Sequence, residues 1–212
     1  MGVFAAERRL YGLFAQLLEY PRGDVADAAR ACQALLAEEH AEAAALVAEF
    51  AAMAESAPPG RLEEIYTGTF DLNGICYPYV GYHLFGESYK RSALLIGLKQ
   101  RYRAMGLDTG SELADHVAVL LRFLSALDAA DLAGELVGEA LLPALLRMTR
   151  TSEEGEPPDD APPATDPADG REAYRRLVHA LRLVLEREAA ASDGDRADQS
   201  TAAAPGPVTT TP

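Results

Sequence analysis

The sequence predicts an all-α fold, a single-domain helical bundle of about seven or eight helices with one irregular aromatic loop. Apolar residues recur at intervals of three and four along most of the chain, and alanine and leucine dominate those segments. Proline and glycine are concentrated between the segments, where they end one helix before the next begins. With 49% hydrophobic residues over 212 positions, the chain is long and apolar enough to bury one substantial core.

The charge and the cysteines limit the classes of partner and site. There are 33 acidic residues against 19 Lys and Arg, which gives a formal net charge of -14. Nucleic acid binding draws on clustered positive charge, so no nucleic acid partner is predicted, and a basic protein segment suits the balance better. Cys32 and Cys76 are far apart and have no second thiol or histidine at metal-ligand spacing. Neither a disulfide framework nor a zinc site is predicted.

No segment predicts stable insertion into a membrane. The apolar run from Leu10 to Leu18 follows two arginines, as in an export signal, but Gln16 interrupts it and no small-residue cleavage site follows. Its apolar residues share one helical face, and no other run approaches the roughly 20 apolar residues of a membrane span. We therefore expect a soluble, cytoplasmic protein whose first helix covers residues 3–19.

Three more amphipathic helices follow the first one. Tyr20-Pro21-Arg22-Gly23 ends the first helix, and Asp24 is a good N-cap for the second. A third helix is predicted over residues 41–55 and ends before Pro58-Pro59-Gly60. A short fourth helix starts near Arg61 and reaches residues 70–71.

The pattern changes after the fourth helix. Residues 72–86 show neither helical nor strand periodicity and contain turn signals, so they are predicted to form a loop with at most a short helical turn. Ser88 is then a good N-cap for a helix that ends at Gly106. This helix carries five basic residues and no acidic one, namely Lys90, Arg91, Lys99, Arg101 and Arg103. Two interpretations stay open: a solvated face with late cations that complement the helix dipole, or a contact with an anionic partner.

Another helix is predicted from Ser111 to about residue 127, with Glu112, Asp115 and His116 in its first turn. Spacings of three and four would put these side chains on adjoining parts of the surface, at the positive end of the helix. Complementation of the dipole is one interpretation, and a functional acid–imidazole cluster is the other. A further helix over residues 131–150 is expected to bend at Pro143, which has no backbone N–H.

The composition then shifts and defines the organisation of the chain. Residues 151–170 contain five prolines, seven acidic residues and no large apolar side chain, so they are predicted to be a flexible acidic linker. We expect residues 1–150 to form the helical core and residues 171–188 to form a C-terminal helix that docks on it. Residues 189–212 are expected to be disordered. The long linker would allow exchange of the last helix between two copies, which leaves a monomer or a weak homodimer open.

The sequence contains none of the common catalytic or nucleotide-binding motifs. It lacks a nucleophile elbow, both glycine-rich phosphate loops, a zinc-protease helix and paired metal-binding cysteines. His40, His83, His116 and Cys76 could form a metal site only if distant segments came together. We therefore predict that the protein is not an enzyme and has neither a metal nor a cofactor of its own.

Four segments carry a resemblance to a known family, and their order and spacing are preserved together. They are Tyr66-Thr67-Gly68-Thr69-Phe70-Asp71, Tyr82-His83-Leu84-Phe85-Gly86-Glu87-Ser88-Tyr89-Lys90-Arg91, Tyr102-Arg103-Ala104-Met105-Gly106 and Glu112-Leu113-Ala114-Asp115-His116. Over residues 4–150, and most strongly over 66–124, the chain resembles the NarJ branch of the NarJ/TorD molybdoenzyme maturation chaperones. The family usually has proline at the middle of the last segment. This chain has Ala114 there, so it lacks the rigidity that proline would give to this turn.

The resemblance implies an all-helical cytoplasmic chaperone, the delta subunit of respiratory nitrate reductase, that is absent from the finished enzyme. Such proteins bind the apo catalytic (alpha) subunit of nitrate reductase, or of a related molybdoenzyme, through its N-terminal segment. They hold it competent for insertion of the molybdenum cofactor and an iron–sulfur centre. The residues at signature positions, with client recognition or support of the client groove as their implied role, are Tyr66, Phe70, Asp71, Tyr82, His83, Gly86, Glu87, Ser88, Arg91, Glu112, Asp115 and His116.

A second hypothesis remains beside the chaperone. A helical protein–protein adaptor or regulatory module could use the same scaffold to bind an unrelated client. The residues themselves support a mobile aromatic loop that opens an apolar groove for an amphipathic peptide, while the negative charge attracts a basic segment.

Overall fold

The computed structural model describes residues 3–71, 76–149 and 170–202, and it describes side chains within 7–71, 76–149 and 170–191. All secondary structure elements in this part of the chain are helical, so the predicted all-α class is confirmed. The helices are α1 (Val3–Leu18), α2 (Val25–Leu36), α3 (Ala41–Ser56), α4 (Arg61–Phe70), α5 (Val80–Phe85), α6 (Tyr89–Ala104), α7 (Val117–Ala126), α8 (Ala130–Leu136), α9 (Leu142–Met148) and α10 (Arg171–Ala202), with a π-helical turn over Val137–Leu141.

The first four helices begin and end where the sequence predicts. Asp24 caps α2, because its Oδ1 accepts a 2.9 Å hydrogen bond from the backbone N–H of Asp27. Gly60 precedes α4 with a φ of 83°, a left-handed conformation that glycine adopts without a Cβ clash. Ser88 is the N-cap of α6, as predicted, although its side chain makes no capping hydrogen bond. Local sequence signals are therefore sufficient for the boundaries of α3 and α4 and for the starts of α2 and α6.

The helix predicted to open at Ser111 begins at Val117 instead, so that prediction is wrong by almost two turns. Two backbone carbonyls before Val117 accept hydrogen bonds from other segments of the chain. The hydroxyl of Tyr102 donates to the carbonyl of Ala114 at 2.8 Å, and the N–H of Val80 donates to the carbonyl of Asp115 at 2.8 Å. Because tertiary partners use these carbonyls, residues 111–116 form turns and His116 becomes the N-cap.

The helix predicted over residues 131–150 is divided by the π-helical turn. Its last hydrogen bond runs from the N–H of Leu142 to the carbonyl of Val137, five residues back. Pro143 follows at the start of α9, where its missing N–H leaves a carbonyl of the preceding turn without its helical donor. The irregularity therefore lies on the N-terminal side of the proline.

The C-terminal helix begins at Arg171, as predicted, and docks on the core through a buried stripe. The stripe consists of Tyr174, Leu177, Val178, Leu181, Val184 and Leu185. It packs against α3, α4 and α9, so α10 is an integral part of the bundle. The helix continues to Ala202, beyond the predicted end at Glu188. Five of the fourteen residues from 189 to 202 are alanine, and no proline interrupts the helix before Pro205. The predicted linker up to Asp169 and the tail from residue 203 lie outside the described residues.

The remaining packing places α6 at the edge of the bundle. α1 lies against α7 and α2, α2 lies against α3, and α5 contacts both α6 and α9. Only Leu98 and Tyr102 of α6 are buried, so most of this helix faces outward. None of the helices in the described ranges is long and apolar enough to cross a membrane. Cys32 and Cys76 are both buried free thiols.

Candidate functional site

An isolated antiparallel bridge joins the aromatic loop to the residues before α7. The N–H of Val80 donates to the carbonyl of Asp115 and the N–H of Val117 donates to the carbonyl of Pro78, both at 2.8 Å. At Cys76 the chain again contacts α4, because the N–H of Cys76 donates to the carbonyl of Thr69 at 3.1 Å. Three segments that are distant in the sequence thus meet at one place.

An ion pair between Asp115 and Arg91 lies at the centre of this meeting point. Asp115 is fully buried and its Oδ2 accepts a 3.0 Å hydrogen bond from Nε of Arg91, whose side chain is 12% exposed. The other carboxylate oxygen, Oδ1, is buried without a hydrogen-bond partner in the described part of the chain. Arg91 Nη1 also donates to Glu87 at 2.8 Å. A buried charge that lost this partner would be uncompensated, so the pair fixes the first turn of α6 to the residues before α7.

Aromatic rings enclose the guanidinium group of Arg91. Its central carbon lies 5.6 Å from the ring centroid of Tyr79 and 5.8 Å from that of Tyr82. Tyr82 packs edge-to-face with Tyr77 at 5.6 Å. Cation–π attraction at these distances adds to the ion pair. The loop aromatics therefore serve partly as a cover for a buried charge.

Gly81 is required by this packing. A Cβ at this position would lie 2.8 Å from Oδ2 of Asp115 and 3.1 Å from side-chain atoms of both Arg91 and Leu94. The carboxylate cannot simply rotate away, because it is hydrogen-bonded to Arg91. The missing side chain lets α5 lie directly against the ion pair.

His116 is buried and connects α7 to α1 and α4. Its Nδ1 accepts a 3.1 Å hydrogen bond from the N–H of Ala118, and its Nε2 lies 3.5 Å from the hydroxyl of Tyr66. The Tyr66 hydroxyl donates to the carbonyl of Leu18 at 3.3 Å. This network assigns the proton to Nε2 and requires neutral imidazole. Burial, with a further contribution from Arg122, lowers the pKa of His116 to about 4, which agrees with the neutral form.

Behind His116 lies a cluster of buried aromatic rings. Tyr66 contacts Phe70 at a centroid distance of 4.9 Å and Tyr174 at 5.6 Å, and Phe70 contacts Tyr174 at 5.3 Å. Phe50 completes the cluster, 4.9 Å from Tyr174. The two predicted site aromatics of α4 therefore bind the C-terminal helix α10 to the core and do not face solvent.

The C-terminal end of α5 is held by α9. Arg147 donates to the carbonyls of His83 and Leu84, the latter at 3.2 Å, and so satisfies carbonyls of the last helical turn. His83 donates from Nε2 to the carbonyl of Tyr77 at 2.7 Å, and burial lowers its pKa. Gly86 follows with φ 60° and ψ -157°, a conformation that is essentially restricted to glycine. Together these contacts give α5 a defined position on the surface.

The structure divides the twelve predicted site residues between an interior framework and a surface. Tyr66, Phe70, Asp115 and His116 are buried, and Arg91 is nearly so. Tyr82, His83, Gly86 and Glu112 are half-buried, whereas Asp71, Glu87 and Ser88 are exposed. The predicted acid–imidazole cluster on a helix surface is therefore wrong in its placement, because Asp115 and His116 point into the core before α7 begins. Glu112 is half-buried, and its charge adds to the effect of burial in raising the pKa of Tyr66 and of Tyr79, the two rings that contact His116.

Sequence reasoning missed four residues that hold the site together: Tyr77, Tyr79, Gly81 and Arg147. Tyr77 and Tyr79 flank Pro78 within the predicted loop, and an aromatic residue on each side of a turn proline is a signal for both. Gly81 precedes the aromatic segment directly, and its role follows only from the position of Asp115. For Arg147 the sequence offers no signal, since its partners are backbone carbonyls more than 60 residues away.

The surface next to this framework carries exposed apolar side chains. Tyr77 is 38% exposed, Phe85 is 40% exposed and Leu146 is 40% exposed. Hydrogen bonds tie their segments together, from His83 to Tyr77 and from Arg147 to Leu84. We call this area the α5/α9 surface. Apolar side chains of this size on a rigid support are typical of sites that bind an apolar segment of another protein.

Comparisons with known proteins agree with this architecture. The family model described as nitrate reductase delta subunit matches residues 33–150, more than half of the chain. Among solved structures, the chain is similar to one from Archaeoglobus fulgidus described as "a putative redox enzyme maturation protein". That similarity has a TM-score of 0.52 and 23% sequence identity, and it covers 84% of this chain and 93% of the other, which shows a shared fold. None of the curated proteins compared with the chain matches it.

Proposed function

The chain belongs to the nitrate reductase delta subunit family, and from this premise we propose that it is a system-specific chaperone for assembly of a molybdenum-containing oxidoreductase, most specifically nitrate reductase. Its client is the apo catalytic subunit, recognised through the N-terminal segment and kept competent for insertion of molybdenum cofactor and an iron–sulfur centre. In this role the chain binds and releases a protein and catalyses no reaction. Its site of action is the cytoplasm, before the client is complete.

The observation that carries this proposal is the α5/α9 surface with its exposed Tyr77, Phe85 and Leu146. Tyr77 and Phe85 lie in the segment of strongest resemblance, and the buried Arg91–Asp115 pair supports α5 from below. Exposed aromatic and leucine side chains supply an apolar contact, and the net charge of -14 attracts a basic leader segment during encounter. Ordering a disordered client segment costs about 2 to 5 kcal/mol, so the apolar contact must provide most of the affinity. Moderate and releasable binding suits a chaperone that hands over its client.

Within this proposal, the signature residues have two kinds of role. Tyr82, His83, Glu87 and Ser88 are accessible enough to contact the client, together with Asp71 at the end of α4. The buried members support the surface from below. Residues 1–150 supply the recognition surface, and α10 completes the core behind it.

Calorimetric titration of the full chain with a peptide from the N-terminus of the nitrate reductase catalytic subunit tests this assignment. Phe85→Ser should weaken binding on the order of tenfold, because an exposed aromatic anchor is a typical interface hot spot. Met105→Ser, which alters a residue that is 41% exposed on another part of the surface, is the matched control and should leave affinity unchanged. An equal loss of affinity in both variants would show that the peptide does not bind at the α5/α9 surface.

The alternative, an adaptor for an unrelated client, gives a different result in cells. Tagged chain purified from cells grown on nitrate should recover a molybdoenzyme catalytic subunit, identified by mass spectrometry. Repeated purification that yields partners but never such a subunit would favour the adaptor.

A further inference from the structure

The outer face of α6 carries an exposed stripe that the core does not use. Tyr89 is 87% exposed and Ile96 is 59% exposed. Together with Ala93 and Gln100, which are also exposed, they occupy positions separated by four, three and four residues. That spacing places all four on one side of the helix, opposite the buried Leu98 and Tyr102. We call this stripe the outer face of α6.

Cations flank the stripe on both sides. At 100° per residue, Lys90 and Arg101 lie along one side of it and Lys99 and Arg103 lie along the other. All four side chains are exposed, and none has an ion-pair partner within the described ranges. Arg91, the fifth cation of the helix, faces the core and is committed to Asp115. The outer face thus has two large apolar side chains, Tyr89 and Ile96, between two positive edges.

The helix dipole does not favour all four of these charges. Lys90 is in the first turn of α6, where the helix dipole disfavours a cation. In the first interpretation left open by the sequence, a solvated face with late cations, the helix dipole therefore favours only Arg101 and Arg103. Gly97, beside the stripe, has no neighbouring atom within 4 Å of a Cβ position, although glycine inside a helix costs about 1 kcal/mol relative to alanine. The space at Gly97 allows close approach by the backbone of another helix.

We propose that the outer face of α6 docks an amphipathic helix of a partner protein whose apolar stripe is flanked by Asp and Glu. Pairing of this kind uses apolar side chains for affinity and flanking charges for choice of partner and orientation, as in helical coiled coils. The surface is separate from the α5/α9 surface and has the opposite charge preference. A basic leader segment suits the α5/α9 side of this acidic protein, whereas an acidic helix suits α6.

Charge and shape distinguish this occupant from the others. Two copies of α6 would bring like charges together, and the stripe has only two large apolar side chains, which is too few for a helix held at a lipid surface. The chain's own residues 151–169 are acidic but have no large apolar side chain to place against Tyr89 and Ile96. An acidic amphipathic helix satisfies both the stripe and its edges.

Fluorescence anisotropy with the full chain and defined probes tests the proposal. The first probe is a labelled synthetic helix of three heptads with Leu at a and d and Glu at e and g, and the second has Lys in place of Glu. The Glu helix should bind wild-type protein at least about tenfold more tightly than the Lys helix, and its affinity should fall as salt rises. Lys99→Glu with Arg103→Glu should reverse that preference.

Two further variants distinguish binding at the outer face of α6 from a general effect of positive charge. Ile96→Ser should weaken the Glu helix by roughly fivefold, because it removes the central apolar contact. The double variant Arg9→Glu with Arg22→Glu removes exposed cations elsewhere on the surface and should leave the affinity within about twofold. Circular dichroism of each variant verifies that the fold is retained.

Several outcomes would overturn the proposal. Equal binding of the two helices would show that charge does not select the partner. Equally tight binding of a peptide of residues 151–169 would show that the face recognises negative charge alone. Binding to phosphatidylglycerol vesicles in place of either helix would assign the face to a membrane. Sedimentation of a dimer that Ile96→Ser dissociates would assign it to a second copy. None of these results depends on the identity of the client bound by the α5/α9 surface.

Discussion

Asp115 has no exposed surface, and its Oδ2 accepts a 3.0 Å hydrogen bond from Nε of Arg91, 24 residues earlier in the chain. This one contact joins the start of α6 to the residues before α7 and lies directly under α5. Because α5 packs against this contact, the contact fixes the position of the α5/α9 surface. The stability of the pair and the integrity of the candidate site are therefore linked.

Removal of the Asp115 carboxylate should destabilise the fold. Asp115→Ala leaves the nearly buried guanidinium of Arg91 without its partner, and we expect a loss of about 3 kcal/mol in the free energy of unfolding. In the Asp115→Ala background, Arg91→Ala should cost much less than it does alone, as expected for groups that act together. Urea denaturation measures all of these values.

Asp128→Ala is the control for this prediction, because Asp128 also pairs with an arginine, Arg8, but is 88% exposed. Screened surface pairs contribute little, so its unfolding midpoint should hardly change. A similar shift for Asp115→Ala and Asp128→Ala would contradict the importance of the buried pair.

The packing of Gly81 against this pair predicts opposite outcomes for two glycine substitutions. Gly81→Ala places a Cβ 2.8 Å from Asp115 and should cost about 1 to 3 kcal/mol, as overpacking does. Gly97→Ala meets no atom within 4 Å on α6 and should stabilise the protein by roughly 0.5 to 1 kcal/mol. Thermal unfolding of the two variants should therefore give melting temperatures on opposite sides of wild type. A melting temperature for Gly81→Ala at or above that of wild type would show that Gly81 is not closely packed.

His116 should make the protein sensitive to acid. Its pKa is about 4 in the folded state and about 6.5 when unfolded, so the unfolded chain binds more protons between these values. Stability is fully present above pH 6.5 and falls as the pH drops toward 4, by about 2 kcal/mol between pH 7 and pH 5. His116→Asn keeps an acceptor for the N–H of Ala118 but does not titrate. The difference in unfolding free energy between wild type and this variant should shrink by that amount at pH 5, and a constant difference would refute the assignment.

Glu188 has the opposite pH dependence. Burial raises its pKa to about 8, Glu7 adds to the rise, and the Tyr11 hydroxyl donates to the carboxylate at 2.8 Å. Because the folded state binds the extra proton, stability should fall by about 2 kcal/mol as the pH rises from 6.5 to 8.5. Glu188→Gln retains an acceptor for Tyr11 and should give a flatter profile over this range. An unchanged slope in that variant would place the titrating group elsewhere.

The sequence is a good guide to the fold wherever a boundary depends on local chemistry. Asp24, Gly60 and Gly106 end or begin helices through backbone and capping preferences that are independent of the rest of the chain. The start of α7 is the instructive failure. Ser111 and Glu112 are good residues for a helix start, but Tyr102 and Val80 take the carbonyls of Ala114 and Asp115, and those partners become visible only after folding.

The same limit explains what was missed in the candidate site. Loss of periodicity over residues 72–86 marked the irregular part of the chain, which contains one side of the bridge and the short helix α5. It could not show that Asp115 and His116 turn inward, because that orientation depends on the bridge between Tyr79 and His116. If Asp115 and His116 lay on the surface, their substitution would hardly change the stability. Their burial predicts that substitution lowers it.

The proposed function of this chain is to prepare a molybdoenzyme catalytic subunit for cofactor insertion. The most direct test is to produce the nitrate reductase catalytic subunit with and without the chain and to measure molybdenum in the purified subunit by mass spectrometry. The account predicts nearly full molybdenum occupancy with the wild-type chain, low occupancy without it, and an intermediate value with Phe85→Ser. Equal molybdenum content in the presence and absence of the chain would contradict it.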